Sequence, residues 1–264
     1  MDIEALYVWK ENGKPKANHH FLLPHSIRGL IVGKSNCGKT TLLNNPLLKE
    51  GCLEYTKLLV YGASLHQIEY KLMKAAFDKG LSKNQIRVLF ERQKQIQKQG
   101  GPEEVINKYD GICKGRIKAD FFSHGEGKVP DPTVLDPAEK NLLILDDVMT
   151  FSQKTAEDYF TRGRHNNVDV FYITQSYFEL PRRTIRENSY FLILFHQDEK
   201  NLRHIFDYWC SGDNLPYPIF KSFCVNIWNE KAHNFVVLDS TRTLTTGKYR
   251  KNMEHFWIPP LSTL

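Results

Sequence analysis

Residues 30–43 read LIVGKSNCGKTTLL, and this order restricts the fold more than any other stretch of the chain. Leu30, Ile31 and Val32 form an apolar, β-branched burst that asks for a buried strand. Gly33 to Thr40 then fit the spacing G-x-x-x-x-G-K-[ST] without departure. Glycines at those two positions let the backbone wind tightly, so that successive N–H groups face one point, and an anion fills such a point. Lys39 brings an ammonium to it and Thr40 a hydroxyl suited to a divalent cation. The following helix aims its positive end at the same place. Gly33, Lys34, Ser35, Asn36, Cys37, Gly38, Lys39, Thr40 and Thr41 are therefore the candidate residues for binding the phosphates of a nucleotide, with Thr40 directed at Mg²⁺.

Four more apolar bursts follow: TKLLVYGAS (56–64), NLLILDD (141–147), DVFYITQS (169–176) and SYFLILFH (189–196). They are near-continuous rather than alternating, as in parallel strands covered on both faces. Helical stretches lie between them, GKTTLLNNPLLKE, LHQIEYKLMKAAFDKG and TAEDYFTRGRH. Strand–helix alternation behind a glycine-rich first turn predicts an α/β sandwich with a mostly parallel sheet. The rhythm breaks between about 80 and 140, where a Gln/Lys-rich segment is followed by FFSHGEGKVPDPTVLDP, which reads as loop. That region is expected to be an insertion or elaborated crossover within one domain spanning 1–264. Near the C-terminus, FCVNIWN and HNFVVLD read as two strands joined by EKAH, an antiparallel hairpin at the sheet edge.

The burst NLLILDD ends in two acids. Asp146 at a strand end beside the phosphate loop can orient Mg²⁺ and its waters. Asp147 can accept a proton from an attacking water or orient it. Adjacent strand residues point to opposite faces, so both acids serve one site only where the chain turns. The plain alternative is a solvated Asp-Asp turn. Gln175 ends the next burst, where an amide could touch a γ-phosphate or simply finish a strand. Arg162 and Arg164, at the end of the helix after Asp147, either cap that helix or reach the site of a neighbouring subunit. Arg182, Arg183 and Arg186 suit nucleic acid, a subunit contact or a generic charged loop.

The chain has 264 residues, 41% hydrophobic and 25% charged, enough for a substantial core. Its formal charge of +6 leans mildly towards a polyanionic partner. Five cysteines without metal-ligand or redox spacing read as reduced thiols. The first residues lack the apolar core of a signal peptide, and no run approaches a membrane span. A soluble, intracellular protein is expected. His19, His20 and His25 have no acidic or cysteine partner at ligand spacing.

In order, GKSNCGKTTLL, LLVYGASLHQIEY, NLLILDDVM and RGRHNNVDVFYITQSYFELPRRTIRENS resemble the genome-packaging ATPases of double-stranded DNA viruses, the poxvirus-type members of the FtsK–HerA superfamily with relatives in virophages, Polinton-like elements and adintoviruses. The resemblance covers roughly residues 25–200. It implies a P-loop NTPase domain of RecA/FtsK-like type that hydrolyses ATP with Mg²⁺. It further implies a ring of five or six copies, a duplex DNA partner read without sequence preference, and a capsid or portal-vertex protein. By position it gives Lys39 and Thr40 the phosphate-loop roles, Asp146 that of the metal-orienting acid and Asp147 that of the catalytic acid. Gln175 falls on the polar sensor and Arg164 on the trans-acting arginine finger, with Arg162 and Arg186 in reserve. The expected location is the infected host cell, in the nucleus or a cytoplasmic factory, or in the virion. No nuclease domain is evident after the motor. The alternatives are a cellular or plasmid DNA pump or helicase of the same superfamily, a nucleotide-gated DNA-binding scaffold with little turnover, and a small-molecule kinase.

Overall fold

A computed structural model describes residues 19–91, 117–125 and 127–260, together with residues 102 and 106 and a two-residue ribbon pairing 10–11 with 14–15. The strands are β1 (Arg28–Val32), β2 (Lys57–Gly62), β3 (Lys118–Ser123), β4 (Asn141–Asp146), β5 (Val168–Thr174), β6 (Phe191–Leu194), β7 (Val236–Asp239), β8 (Tyr249–Lys251) and β9 (His255–Trp257). They form one nine-stranded sheet in the order β9-β8-β7-β6-β1-β5-β4-β2-β3. From β6 to β3 all neighbours are parallel, and β7, β8 and β9 add an antiparallel flank.

The near-continuous apolar runs have the expected cause. Along β4, Leu143 and Leu145 enter one core while Leu142 and Ile144 enter the other, and β5 divides Val170 and Tyr172 from Phe171 and Ile173 in the same way. Helices cover both faces, giving three layers. On one side lie α1 (Lys39–Leu48), α2 (Ile68–Asp78) and α3 (Lys83–Glu91); on the other, α4 (Lys154–Arg162), α5 (Glu199–Trp209) and α6 (Tyr217–Glu230).

Two expectations are corrected. FCVNIWN belongs to α6, not to a strand, and EKAH connects that helix to β7. The buried residues of α6 are Phe220, Phe223, Cys224, Ile227 and Trp228, a 3.6-residue stripe that outweighs the β-propensity of its aromatic and branched residues. The antiparallel flank exists, but β7 to β9 build it. In the 80–140 region, Lys118–Ser123 is a strand, parallel to β2 at the far edge, within a stretch that reads as loop. It is six residues long, like β2 and β4, but no position along it is fully buried, so it lacks the apolar run that marks the other parallel strands. Much of the Gln/Lys-rich segment, and Cys113, lie outside the described residues.

The edge of the sheet where the parallel strands begin is tied by a buried charge cluster. Asp169, with 1% of its side chain exposed, accepts from His19 Nε2 at 2.8 Å, from Lys140 Nζ at 2.8 Å and from the Ile27 amide at 2.7 Å. His19 Nδ1 in turn accepts from the Glu54 amide at 3.0 Å, so the ring uses both nitrogens. Burial alone would raise the Asp169 carboxyl, but the His19 hydrogen bond and the Lys140 charge outweigh it and hold the group below the usual carboxylate range. A carboxyl lowered by folding stabilises above its unfolded value, near 3.8, and that contribution is lost as pH falls through the folded value. Asp169→Asn should therefore cost about 3 kcal/mol at pH 7 and flatten the loss of stability below about pH 4. Urea unfolding at pH 7 and at pH 3 measures both effects.

Candidate functional site

The register brings the strand ends to one line. Val32 of β1 pairs with Thr174 of β5, while Ile173 and Gly62 of β2 both pair with Asp146 of β4. Past those positions the Gly33 amide donates to Thr174 O at 3.1 Å, and the Asp147 amide donates to Ile173 O at 3.3 Å. Phosphate loop, paired acids and Gln175 therefore leave the sheet side by side. They line a cleft of about 410 Å³ together with Ser64 and Gln67 from the β2–α2 connection and His233 from the α6–β7 connection.

The loop has the shape the spacing predicts. Gly38 sits at φ 100° and Asn36 at φ 61°, left-handed positions that turn the chain around a concavity. A Cβ at Gly33 would come within 2.6 Å of Cys37 Sγ and 2.7 Å of Phe195 Cβ, so only glycine fits there. The Lys39 ammonium folds back onto the carbonyls of Gly33 (2.6 Å) and Lys34 (2.8 Å), closing the crown of the loop. None of the described side chains caps α1, which starts at Lys39, and no acid lies in its first turn. Its free amides are left for an anion.

Asp146 ends β4 with 8% exposure. Burial raises its carboxyl above the usual range. The Tyr70 hydrogen bond, Lys39 and Thr40 oppose that shift, and the Asp147 charge adds to it. Asp147 is exposed at φ 55°. That left-handed residue is the turn which lets two consecutive acids line one cleft instead of pointing to opposite faces of the sheet. The Gln175 amide oxygen accepts from the Ser35 hydroxyl at 3.0 Å, linking the end of β5 to the loop.

Of the sequence-predicted residues, Ser35, Asn36, Gly38, Lys39, Thr40, Thr41, Asp146, Asp147 and Gln175 line the cleft. Gly33, Lys34 and Cys37 form the back of the loop. Arg164 is elsewhere. It is exposed on the short 3-10 turn Gly163–Asn166, just before β5 begins, whereas Gln175 follows the end of that seven-residue strand. The strand separates them by about 20 Å, so Arg164 does not serve its own cleft. Arg162 is engaged by Asp131 at 3.1 Å and Asp158 at 2.9 Å. Arg186 lies 5.5 Å from the centre of the Tyr177 ring and 5.8 Å from that of Phe178.

The sequence patterns do not disclose Ser64, Gln67 and His233 in the cleft wall, nor the buried Tyr70 behind it. Tyr70, on α2, donates to Asp146 Oδ2. His233, at φ 66°, places Nδ1 3.0 Å from Cys37 O, a contact across 196 positions that no local pattern announces.

The arrangement suits a nucleoside triphosphate with Mg²⁺: open amides and an ammonium for the phosphates, and Thr40 with Asp146 as hard oxygen donors for the ion. No helix among the described residues is long and apolar enough to cross a membrane.

No protein-family model and no curated protein sequence matches the chain. Among solved structures it is similar to the genome packaging NTPase B204 from Sulfolobus turreted icosahedral virus 2. In complex with sulfate that protein is 13% identical with a TM-score of 0.44, over 86% of this chain and 93% of that one. In complex with AMP the values are 11% and 0.46, over 87% and 98%. VirB4 of Thermoanaerobacter pseudethanolicus is 11% identical with a TM-score of 0.46, over 81% of this chain and 87% of its own.

Proposed function

We infer that the chain is an ATPase that moves double-stranded DNA into a preformed viral capsid, working as a ring of identical subunits within one domain spanning 1–264. The observation that carries the reading is the convergence of a complete phosphate loop, two acids at a strand end and a loop-contacting Gln175 on one cleft, with Arg164 exposed at the opposite edge of the sheet. A nucleotide-binding scaffold has no use for the second acid, and a self-contained kinase has none for an arginine so placed.

The residues divide the work as follows. Loop amides and Lys39 bind the β and γ phosphates, and Thr41 lies beside them in the first turn of α1. Thr40 and Asp146 hold Mg²⁺, which when bound neutralises charge on the phosphate oxygens. Asp147 orients the attacking water and draws on its proton. Gln175, whose side-chain oxygen accepts from Ser35, keeps its amide N–H groups to donate to a γ-phosphate and passes the arrival or loss of that phosphate along the chain. Three residues on, Phe178 is 50% exposed, and Tyr177, which anchors the loop, accepts from Trp209 Nε1 at 3.0 Å. The residues following Gln175 are thus an anchored loop with an exposed aromatic tip beside Arg186 and Lys200, fit to press on a DNA backbone. Arg164 reaches the cleft of the next subunit. The packaging role places the protein in the infected cell, with a capsid or portal-vertex partner.

The test is ATP hydrolysis with and without duplex DNA across a salt series. Stimulation that is equal for unrelated sequences and falls steeply between 50 and 200 mM salt is expected, because phosphate contacts release counterions. Hydrolysis indifferent to DNA at every salt concentration contradicts the reading.

A further inference from the structure

The acid facing the metal site is held by a side chain outside the phosphate-loop pattern. Tyr70 is the third residue of α2 and only 3% exposed, with its ring in the core between that helix and the sheet. Its hydroxyl cannot reach bulk water, so it must find a protein acceptor. Two other buried tyrosines satisfy that need with backbone: Tyr55 donates to Leu47 O at 2.9 Å and Tyr159 to Pro130 O at 2.9 Å. Tyr70 instead donates to Asp146 Oδ2, across 76 positions of sequence. The Thr40 hydroxyl adjoins both groups.

We propose that Tyr70 is a positioning residue for the metal: by occupying Oδ2 it fixes the Asp146 carboxylate so that Oδ1 is presented, beside the Thr40 hydroxyl, to Mg²⁺ of a bound nucleotide. A carboxylate has two oxygens and a free torsion at its end; a donor on one oxygen sets that torsion and leaves the other to bind. The support is built into α2. The preceding connection supplies Ser64 and Gln67 to the cleft wall, and the buried ring prevents the hydroxyl from swinging away. The assignment rests on the nucleotide reading given above. It gives the wall between β2 and α2, which already contributes Ser64 and Gln67 to the cleft, a role in holding the metal-facing acid.

Equilibrium binding of a fluorescent ATP analogue, in EDTA and across a Mg²⁺ titration, tests this in wild type, Tyr70→Phe, Asp146→Asn and the double variant. Thermal unfolding of each is run alongside. Tyr70→Phe keeps the ring and removes only the donor. The expected result is unchanged binding in EDTA and a Mg²⁺ half-saturation raised about 10- to 100-fold, with no further rise when Tyr70→Phe is added to Asp146→Asn. A drop in melting temperature with the Mg²⁺ dependence intact, equal weakening with and without Mg²⁺, or a further rise in the double variant overturns the assignment and leaves Tyr70 a core residue. Wild type that binds no nucleotide under either condition overturns the underlying reading instead.

Discussion

Arg164→Ala is expected to lower the rate of ATP hydrolysis by about 10³-fold or more, while nucleotide binding to the same protein stays nearly unchanged. The size is that of an arginine supplying charge to a phosphoryl-transfer transition state. The separation of effects follows from position: Arg164 is exposed on its turn, one strand length from the cleft of its own subunit, so its loss removes nothing from the binding surface. Exposure also makes a folding defect an unlikely confounder, since surface substitutions away from buried networks change stability by about 0.5 kcal/mol or less. Arg162→Ala provides the control. It breaks contacts to Asp131 and Asp158 at the same rim and should leave hydrolysis close to wild type. Steady-state kinetics with binding of a fluorescent analogue separates the two outcomes. If Arg164→Ala hydrolyses normally, it is a helix-end cation and no more.

Asp147→Asn is expected to lower kcat by about 10²- to 10⁴-fold, the range for removing a positioned general base, with little change in affinity for ATP. Asp147 is exposed at a left-handed turn, and asparagine tolerates that backbone as well as aspartate does, so the substitution removes charge and keeps geometry. Asp146→Asn should behave differently. Asp146 is buried and bonded to Tyr70, so its loss falls on Mg²⁺ dependence as well as on rate. Single-turnover hydrolysis against Mg²⁺ concentration distinguishes the two acids. Equal behaviour of both variants would contradict the division of roles.

The parts of this fold that the sequence discloses are those where one physical demand dominates. Strands buried on both faces must be apolar throughout, and β1, β2, β4, β5 and β6 all read that way. The phosphate loop is legible because crowding by Cys37 and Phe195 at Gly33, and the left-handed backbone at Gly38, both select glycine. β3 is hidden because an edge strand has no such demand, and Lys118–Ser123 has exposed and half-buried positions but no fully buried one. α6 is misread because Phe223, Val225, Ile227 and Trp228 favour strands locally, whereas the helix period set by Phe220, Cys224 and Ile227 appears only over a longer window. Tyr70 and His233 lie beyond reach for another reason. Each acts through a single contact to a distant segment, and from sequence a buried tyrosine on a helix face is just core. Asp147 shows the intermediate case: the pair of acids is visible, and the turn that lets both face the cleft is only inferred until φ 55° is seen.

In the proposed ring, Arg164 of one subunit completes the cleft of the next. Lys39→Ala lacks the phosphate-binding ammonium but keeps Arg164; Arg164→Ala keeps the cleft but lacks the arginine. Each is expected to be almost inactive alone. The most direct measurement is the ATPase rate of the two variants mixed across a range of ratios and total concentrations with duplex DNA present. The mixture is expected to hydrolyse ATP far faster than the sum of its parts, most strongly at protein concentrations where subunits associate. A mixture no more active than that sum, at concentrations where wild type is fully active, would contradict that arrangement.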